Sequence, residues 1–166
     1  MNYAELLPKC QITADLLAVA HGQDPWMDYY NFKAKLVPPE IAAQDRFLLE
    51  LARVHPFVMG VLKMEPNTVY NWHCDSRRGC TINLLLTFDD ISHCLFSDDP
   101  LQPQCATQEL HYEPCTYYLF NTQRQHMVVN GYDARYLATL EFAEGADLTY
   151  DTLRKELADY QLLANG

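Results

Sequence analysis

A histidine and an aspartate stand two residues apart in the stretch Asn71-Trp72-His73-Cys74-Asp75-Ser76-Arg77-Arg78. In an extended strand, residues two apart point to the same face, so His73 and Asp75 can grip one ion while Cys74 points away. Far along the chain, His126 opens the apolar run Met127-Val128-Val129 and offers a third donor. Two imidazoles and one carboxylate on a single face of an octahedron leave the opposite positions open to exogenous ligands. Arg135 follows, across an Asn130-Gly131 turn, at the start of the apolar run from Tyr136 to Phe142. An arginine facing a β core is costly unless it meets a carboxylate, and its planar fork suits two-point recognition of one. A protein Asp or Glu, or a bound dicarboxylic acid, would satisfy it; the sequence leaves both open.

A His-x-Asp triplet alone is weak evidence, because it recurs by chance, so its value depends on the elements around it. From Phe57 onward the pattern is one of short apolar and β-branched runs separated by turns, which marks an antiparallel sheet or barrel. Candidate strands are Phe57 to Met64, Thr68 to His73, Thr81 to Phe88, His93 to Phe96, His111 to Glu113, Thr116 to Phe120, His126 to Val129 and Arg135 to Phe142. Asp89 to Ser92 and Ser97 to Thr107 read as loops, and Pro66-Asn67 and Asn130-Gly131 as turns. The triplet then sits at the end of one strand just before another, at the mouth of a jelly roll.

Before the strands, Gln11 to His21 carries Ile12, Leu16, Leu17 and Ala20 at helical spacing with Gly22 as a stop. Gln23 to Val37 reads as irregular. Pro38-Pro39-Glu40 opens a second helix that runs to about Val54, where Pro56 ends it. A last helix spans Leu148 to Leu163, capped by Asp147 or Thr149. The expected chain is a single domain over residues 1–166, mainly β within an α+β class. It divides into a mostly helical part at 1–56, a β core at 57–142 and a C-terminal helix at 147–163.

At 166 residues the chain can bury one sizeable core. Its formal net charge of −10 repels phosphate backbones, and no basic cluster exceeds Arg77-Arg78, so nucleic acid is an unsuited partner. No apolar run reaches the length needed to span a bilayer, and Met1-Asn2-Tyr3-Ala4-Glu5 lacks the pattern of an export signal, which leads us to expect a cytoplasmic protein with no membrane association. The six cysteines form no C-x-x-C pair and read as free thiols. Cys94, Cys105 and Cys115 lie near His93 and His111, but at spacings that match no common zinc pattern.

Together, His73-x-Asp75, His126 and Arg135, within "HCDSRRGCTINLLL" and "FNTQRQHMVVNGYDARYLATLEF", resemble the 2-oxoglutarate and Fe(II)-dependent oxygenases. The likeness is greatest to small members similar to aspartyl/asparaginyl β-hydroxylases and free amino-acid hydroxylases, and it covers roughly residues 57 to 142. It implies a double-stranded β-helix in which His73, Asp75 and His126 hold catalytic iron and Arg135 pairs the far carboxylate of the cosubstrate 2-oxoglutarate. It also implies that Asn83, with Arg77 or Arg78, touches cosubstrate or substrate. The expected reaction is hydroxylation of an amino acid, free or in a peptide or protein, using O2 and releasing succinate and CO2. Two rivals share the barrel: a cupin-type metal dioxygenase or isomerase that needs no 2-oxo acid, and a non-enzymatic binding module with a vestigial triad. The first 56 residues carry no such resemblance, and the oligomeric state is unreadable.

Overall fold

The computed structural model describes residues 3–87, 92–102 and 105–160. The chain runs through β1 (Ala4–Lys9), α1 (Thr13–His21), β2 (Met27–Tyr29), β3 (Phe32–Leu36), α2 (Pro39–Ala42) and α3 (Arg46–Val54). Then follow β4 (Phe57–Met64), β5 (Val69–His73), β6 (Thr81–Leu85), β7 (Ser92–Ser97), β8 (Thr107–Leu110), β9 (Thr116–Phe120), β10 (Gln125–Asn130), β11 (Arg135–Phe142) and α4 (Tyr150–Asp159). A seven-stranded sheet in the order β1-β9-β6-β11-β4-β3-β2 faces a four-stranded sheet in the order β5-β10-β7-β8. The pairings among the described residues are antiparallel.

Strand alternation sorts the larger sheet's side chains into two jobs. Met59, Val61, Ile82, Leu84, Tyr117, Leu119, Ala138 and Leu140 join the helices and β1 in one apolar core. The opposite face packs on the smaller sheet through a second cluster that includes Met64, Phe96, Phe120 and Val128. There Phe96 and Phe120 lie with ring centroids 4.7 Å apart, joining the two sheets. Between these apolar contacts the same inner face carries Thr81, Asn83, Arg135 and Thr139, all buried. Polar residues buried at regular strand positions are costly unless satisfied; Thr81 meets Thr139 and Leu140 O, whereas Asn83 Oδ1 and Arg135 Nε have no protein partner.

Several elements differ from the sequence expectation. The part expected to be mostly helical contributes three strands, and all of them extend the larger sheet. β1 contains Pro8 and pairs on one side only, with β9, an edge position where a missing N–H is harmless. β2 and β3 form a hairpin whose turn places Tyr30 at φ 51, a left-handed conformation that a tyrosine does not announce. The helix expected from Pro38 to Val54 breaks in two at Asp45, whose fully buried carboxylate caps α3 by accepting from Leu48 N and also accepts from Gln11 N and Tyr117 Oη. Capping alone contributes about 1 kcal/mol. The strand expected at His111 to Glu113 is displaced to Thr107–Leu110. The 111–113 backbone instead meets the Tyr118 hydroxyl, which donates to His111 O and accepts from Glu113 N. The loop expected at Asp89 to Ser92 lies largely outside the described residues, and Ser92 already belongs to β7. The C-terminal helix ends at Asp159, Thr149 being its cap, and Leu163 lies outside the described residues.

Two buried cations tie the helices down. Lys35 Nζ donates to the carbonyls of Val19, Ala20 and Gly22 at the end of α1, Val19 O also accepting from Gly22 N. His55, at the end of α3, places Nδ1 2.8 Å from Glu144 Oε1 and Nε2 2.6 Å from Glu156 Oε2. Both partners accept, so the ring must carry both protons. Burial pushes the His55 pKa down, but the hydrogen bonds and charges of the two glutamates outweigh it and hold the value above the ordinary 6.5. A histidine whose pKa is raised on folding contributes stability that is complete below 6.5 and is lost as pH rises through the folded value. Urea denaturation at pH 6 and pH 8 should therefore show wild type losing more stability over that interval than His55→Gln. Equal losses in the two proteins would refute the role assigned to this contact.

Candidate metal centre

A β-bulge sets the first donor. β10 pairs Val128 with Tyr70 and His126 with His73, so two residues advance on β10 while three pass on β5. Without the extra residue Trp72 would oppose His126, and His73 would point out of the cavity. Asn71 holds the bulge: its Oδ1 accepts from Trp72 N, and its carbonyl lies 2.6 Å from His73 Nδ1. His126 is oriented in the same way, with Nδ1 2.8 Å from the Arg124 carbonyl. A carbonyl only accepts, so each Nδ1 carries the proton, and in the neutral ring Nε2 bears the lone pair.

Asp75 is positioned differently from the expectation. β5 stops at His73, so strand alternation does not carry as far as the carboxylate. Instead Asp75 N donates to Thr122 O, and Gln123 Nε2 donates to Asp75 O. The result brings Asp75 Oδ1 to 3.6 Å from His73 Nε2 and 4.0 Å from His126 Nε2. One donor atom from each of the three residues lies within 4.8 Å of the others, a group that could hold a metal ion. Burial and then the neighbouring His73 lower the His126 pKa to about 4, so this ring is neutral at pH 7, as a ligand must be. His73 Nε2 is buried with no hydrogen-bond partner. An orphaned lone pair facing a second imidazole and a carboxylate fits a cation better than any arrangement of the protein alone.

The other candidate residues fall around the same space. A cavity of ≈ 60 Å³ between the sheets is lined by the three donors together with Asn83, Arg78 and Arg135. Arg135 is 4% exposed, and its Nε has no partner. No carboxylate among the described residues pairs with it; its recorded neighbour is Tyr112, with the guanidinium 5.9 Å from the ring centroid. Asn83 is buried with Oδ1 unpartnered. Arg78 makes the ion pair that Arg135 lacks, with Nε 2.9 Å and Nη2 2.6 Å from Asp75 Oδ2. Arg77 is exposed and lines an adjoining vestibule of ≈ 180 Å³ with Tyr29, Tyr30, Phe32 and Tyr70.

Sequence reasoning passed over Asn71, Tyr112, Thr122 and Gln123. None carries a recognisable signal, since their work is done through backbone contacts or from a loop that was read as a strand. The cysteines are free, and Cys94 is buried on the inner face of β7 rather than gathered with Cys105 and Cys115 at a metal. No helix among the described residues is long and apolar enough to cross a membrane.

No family model matches the chain, and no curated protein matches it in sequence. Solved structures do resemble it. A prolyl-4-hydroxylase from Pseudomonas putida superposes with a TM-score of 0.62 at 14% identity, over 86% of this chain and 92% of that one. An oxidoreductase of the 2OG-Fe(II) oxygenase family from Burkholderia pseudomallei gives 0.60 at 12% identity, over 84% and 83%. A viral collagen prolyl hydroxylase from Paramecium Bursaria Chlorella virus-1, in a 2OG complex, gives 0.57 at 15% identity, over 84% and 94%. At this level of identity the likeness is one of fold, and this chain shares the fold of those three proteins.

Proposed function

We propose that this chain is an Fe(II)- and 2-oxoglutarate-dependent oxygenase built on a double-stranded β-helix, hydroxylating an amino acid that is free or part of a peptide or protein. One observation carries the reading: a single cavity holds both a three-donor cluster with an orphaned lone pair and a buried arginine that no carboxylate among the described residues pairs with. The first calls for a cation and the second for an anion. A dicarboxylate that also chelates a metal answers both. The fold shared with 2OG-Fe(II) oxygenases supports the same conclusion. The amino-acid substrate rests on the resemblance of residues 57–142 to amino-acid hydroxylases, in keeping with the prolyl hydroxylases among the similar structures.

His73, Asp75 and His126 would hold Fe(II). The chemistry supplied there by iron together with 2-oxoglutarate would be activation of O2, one oxygen atom going to succinate as CO2 leaves and the other to a C–H bond of the substrate. The protein's residues orient and exclude. Arg135, on the inner face of β11, offers its fork to the distal carboxylate, and Asn83 on the neighbouring β6 presents an amide to the same space. Phe120 and Val128 give the cavity apolar walls, which strengthens charge pairing within it. The aromatic vestibule beyond, with Arg77 at its rim, receives the substrate.

Metal-stripped protein titrated anaerobically with Fe(II) and then 2-oxoglutarate should develop the visible charge-transfer band of the chelate, and His126→Ala should lose it while keeping its fold. Metal binding without the band would favour a cupin-type centre, and no metal binding would leave a barrel that only binds. Arg135→Lys should keep metal affinity but weaken 2-oxoglutarate binding about tenfold or more, because an ammonium replaces a two-point contact by a single one. Unchanged affinity for 2-oxoglutarate in that variant would remove Arg135 from the cosubstrate site.

A further inference from the structure

We infer that Arg78 is a positioning residue that occupies one oxygen of Asp75, so that the aspartate meets the metal through the other oxygen alone. The inference rests on the iron-site reading above. Arg78 spends both Nε and Nη2 on Asp75 Oδ2, while Oδ1 is the oxygen that faces His73 and His126. A carboxylate free of such a partner can close on a metal with both oxygens, taking up a position that incoming ligands need. Arg78 withholds one oxygen with two charge-assisted hydrogen bonds, and the guanidinium fork suits that task where an ammonium does not.

The surrounding loop holds Arg78 there by its backbone. The Arg78 carbonyl accepts from Thr122 Oγ1 and from Gln123 Nε2, each at 2.6 Å. Next to it, Gly79 N donates to Gly145 O, and a Cβ on Gly79 would lie 2.3 Å from Leu148 O and 2.8 Å from Ala146 O. Only glycine permits so close an approach. The side chain of Arg78 adds nothing to these contacts, so replacing it leaves the loop in place and removes only its grip on Asp75. That separation makes the role testable.

The experiment compares wild type, Arg78→Gln and Arg78→Lys as full-length proteins, reading Fe(II) affinity first and then the affinity of the Fe(II) form for 2-oxoglutarate from the chelate band, under anaerobic conditions. Arg78→Gln should bind Fe(II) as tightly as wild type or more tightly, because a second carboxylate oxygen becomes available. Its 2-oxoglutarate affinity should fall about tenfold or more, and Arg78→Lys should lie between the two proteins. A structural role alone would lower metal affinity and thermal midpoint together and leave no such opposition. Loss of Fe(II) binding in Arg78→Gln, or 2-oxoglutarate binding equal to wild type, overturns the inference while leaving the iron site standing. Failure of wild type itself to bind Fe(II) overturns the iron site, and this inference with it.

Discussion

Three atoms that carry lone pairs, the Nε2 atoms of His73 and His126 and one oxygen of Asp75, are held within 4.8 Å of one another in a largely buried space. Such atoms repel one another, and the structure holds them together. Carbonyl acceptors at Asn71 and Arg124 fix the protons of both rings on the far nitrogen. Arg78 takes the other oxygen of Asp75. Burial disfavours the charged form of His126. Each of these devices costs stability or consumes a hydrogen-bonding group, and together they suit the cluster to the cation proposed for it.

The rest of the architecture follows from holding that cluster still. β10 and β5 supply the two histidines from adjacent strands of the smaller sheet, and the bulge at Asn71 corrects their phase. Asp75 is hung from the loop after β9 by Thr122 and Gln123, so the carboxylate moves with the larger sheet. The aromatic contact of Phe96 with Phe120 then locks one sheet to the other. Behind the larger sheet the helical layer, pinned by Asp45, Lys35 and His55, keeps β9, β6 and β11 from shifting. The segment after Glu144 reaches back to Gly79 and so links the α4 end of the molecule to Arg78 and the donor cluster. Rigid support of this kind is what separates a metal site from residues that happen to lie close together.

Much of this was legible in the chain, because chemistry that needs rare residue types leaves them visible. The three donors and Arg135 stood out by type and by their place at the ends of apolar runs, and the strands from Phe57 to Phe142, apart from the one expected at His111 to Glu113, followed from short apolar and β-branched runs between turns. The physical reason that joins His73 to Asp75 was not legible. A plain strand accounts for the spacing, yet the structure uses a bulge for one residue and a loop for the other. Backbone-directed contacts such as Asn71 to Trp72 have no periodic signature. The N-terminal strands escaped for a related reason: β1 is an edge strand broken by a proline, and β2 and β3 turn at Tyr30-Asn31 without the glycine that marks most tight hairpins. The role of Arg78 became distinct from that of Arg135 only when their partners could be compared.

In the proposed function, cation and dicarboxylate occupy one cavity and depend on each other. Linkage makes that dependence measurable, since each ligand must change the affinity of the other by the same factor. Calorimetric titration of 2-oxoglutarate into metal-free protein and into protein loaded with Mn(II), which binds such sites without consuming O2, tests it directly. We expect binding to the loaded protein at least about a hundredfold tighter than to the metal-free protein, a coupling of about 3 kcal/mol. Equal affinity with and without the metal would contradict the account.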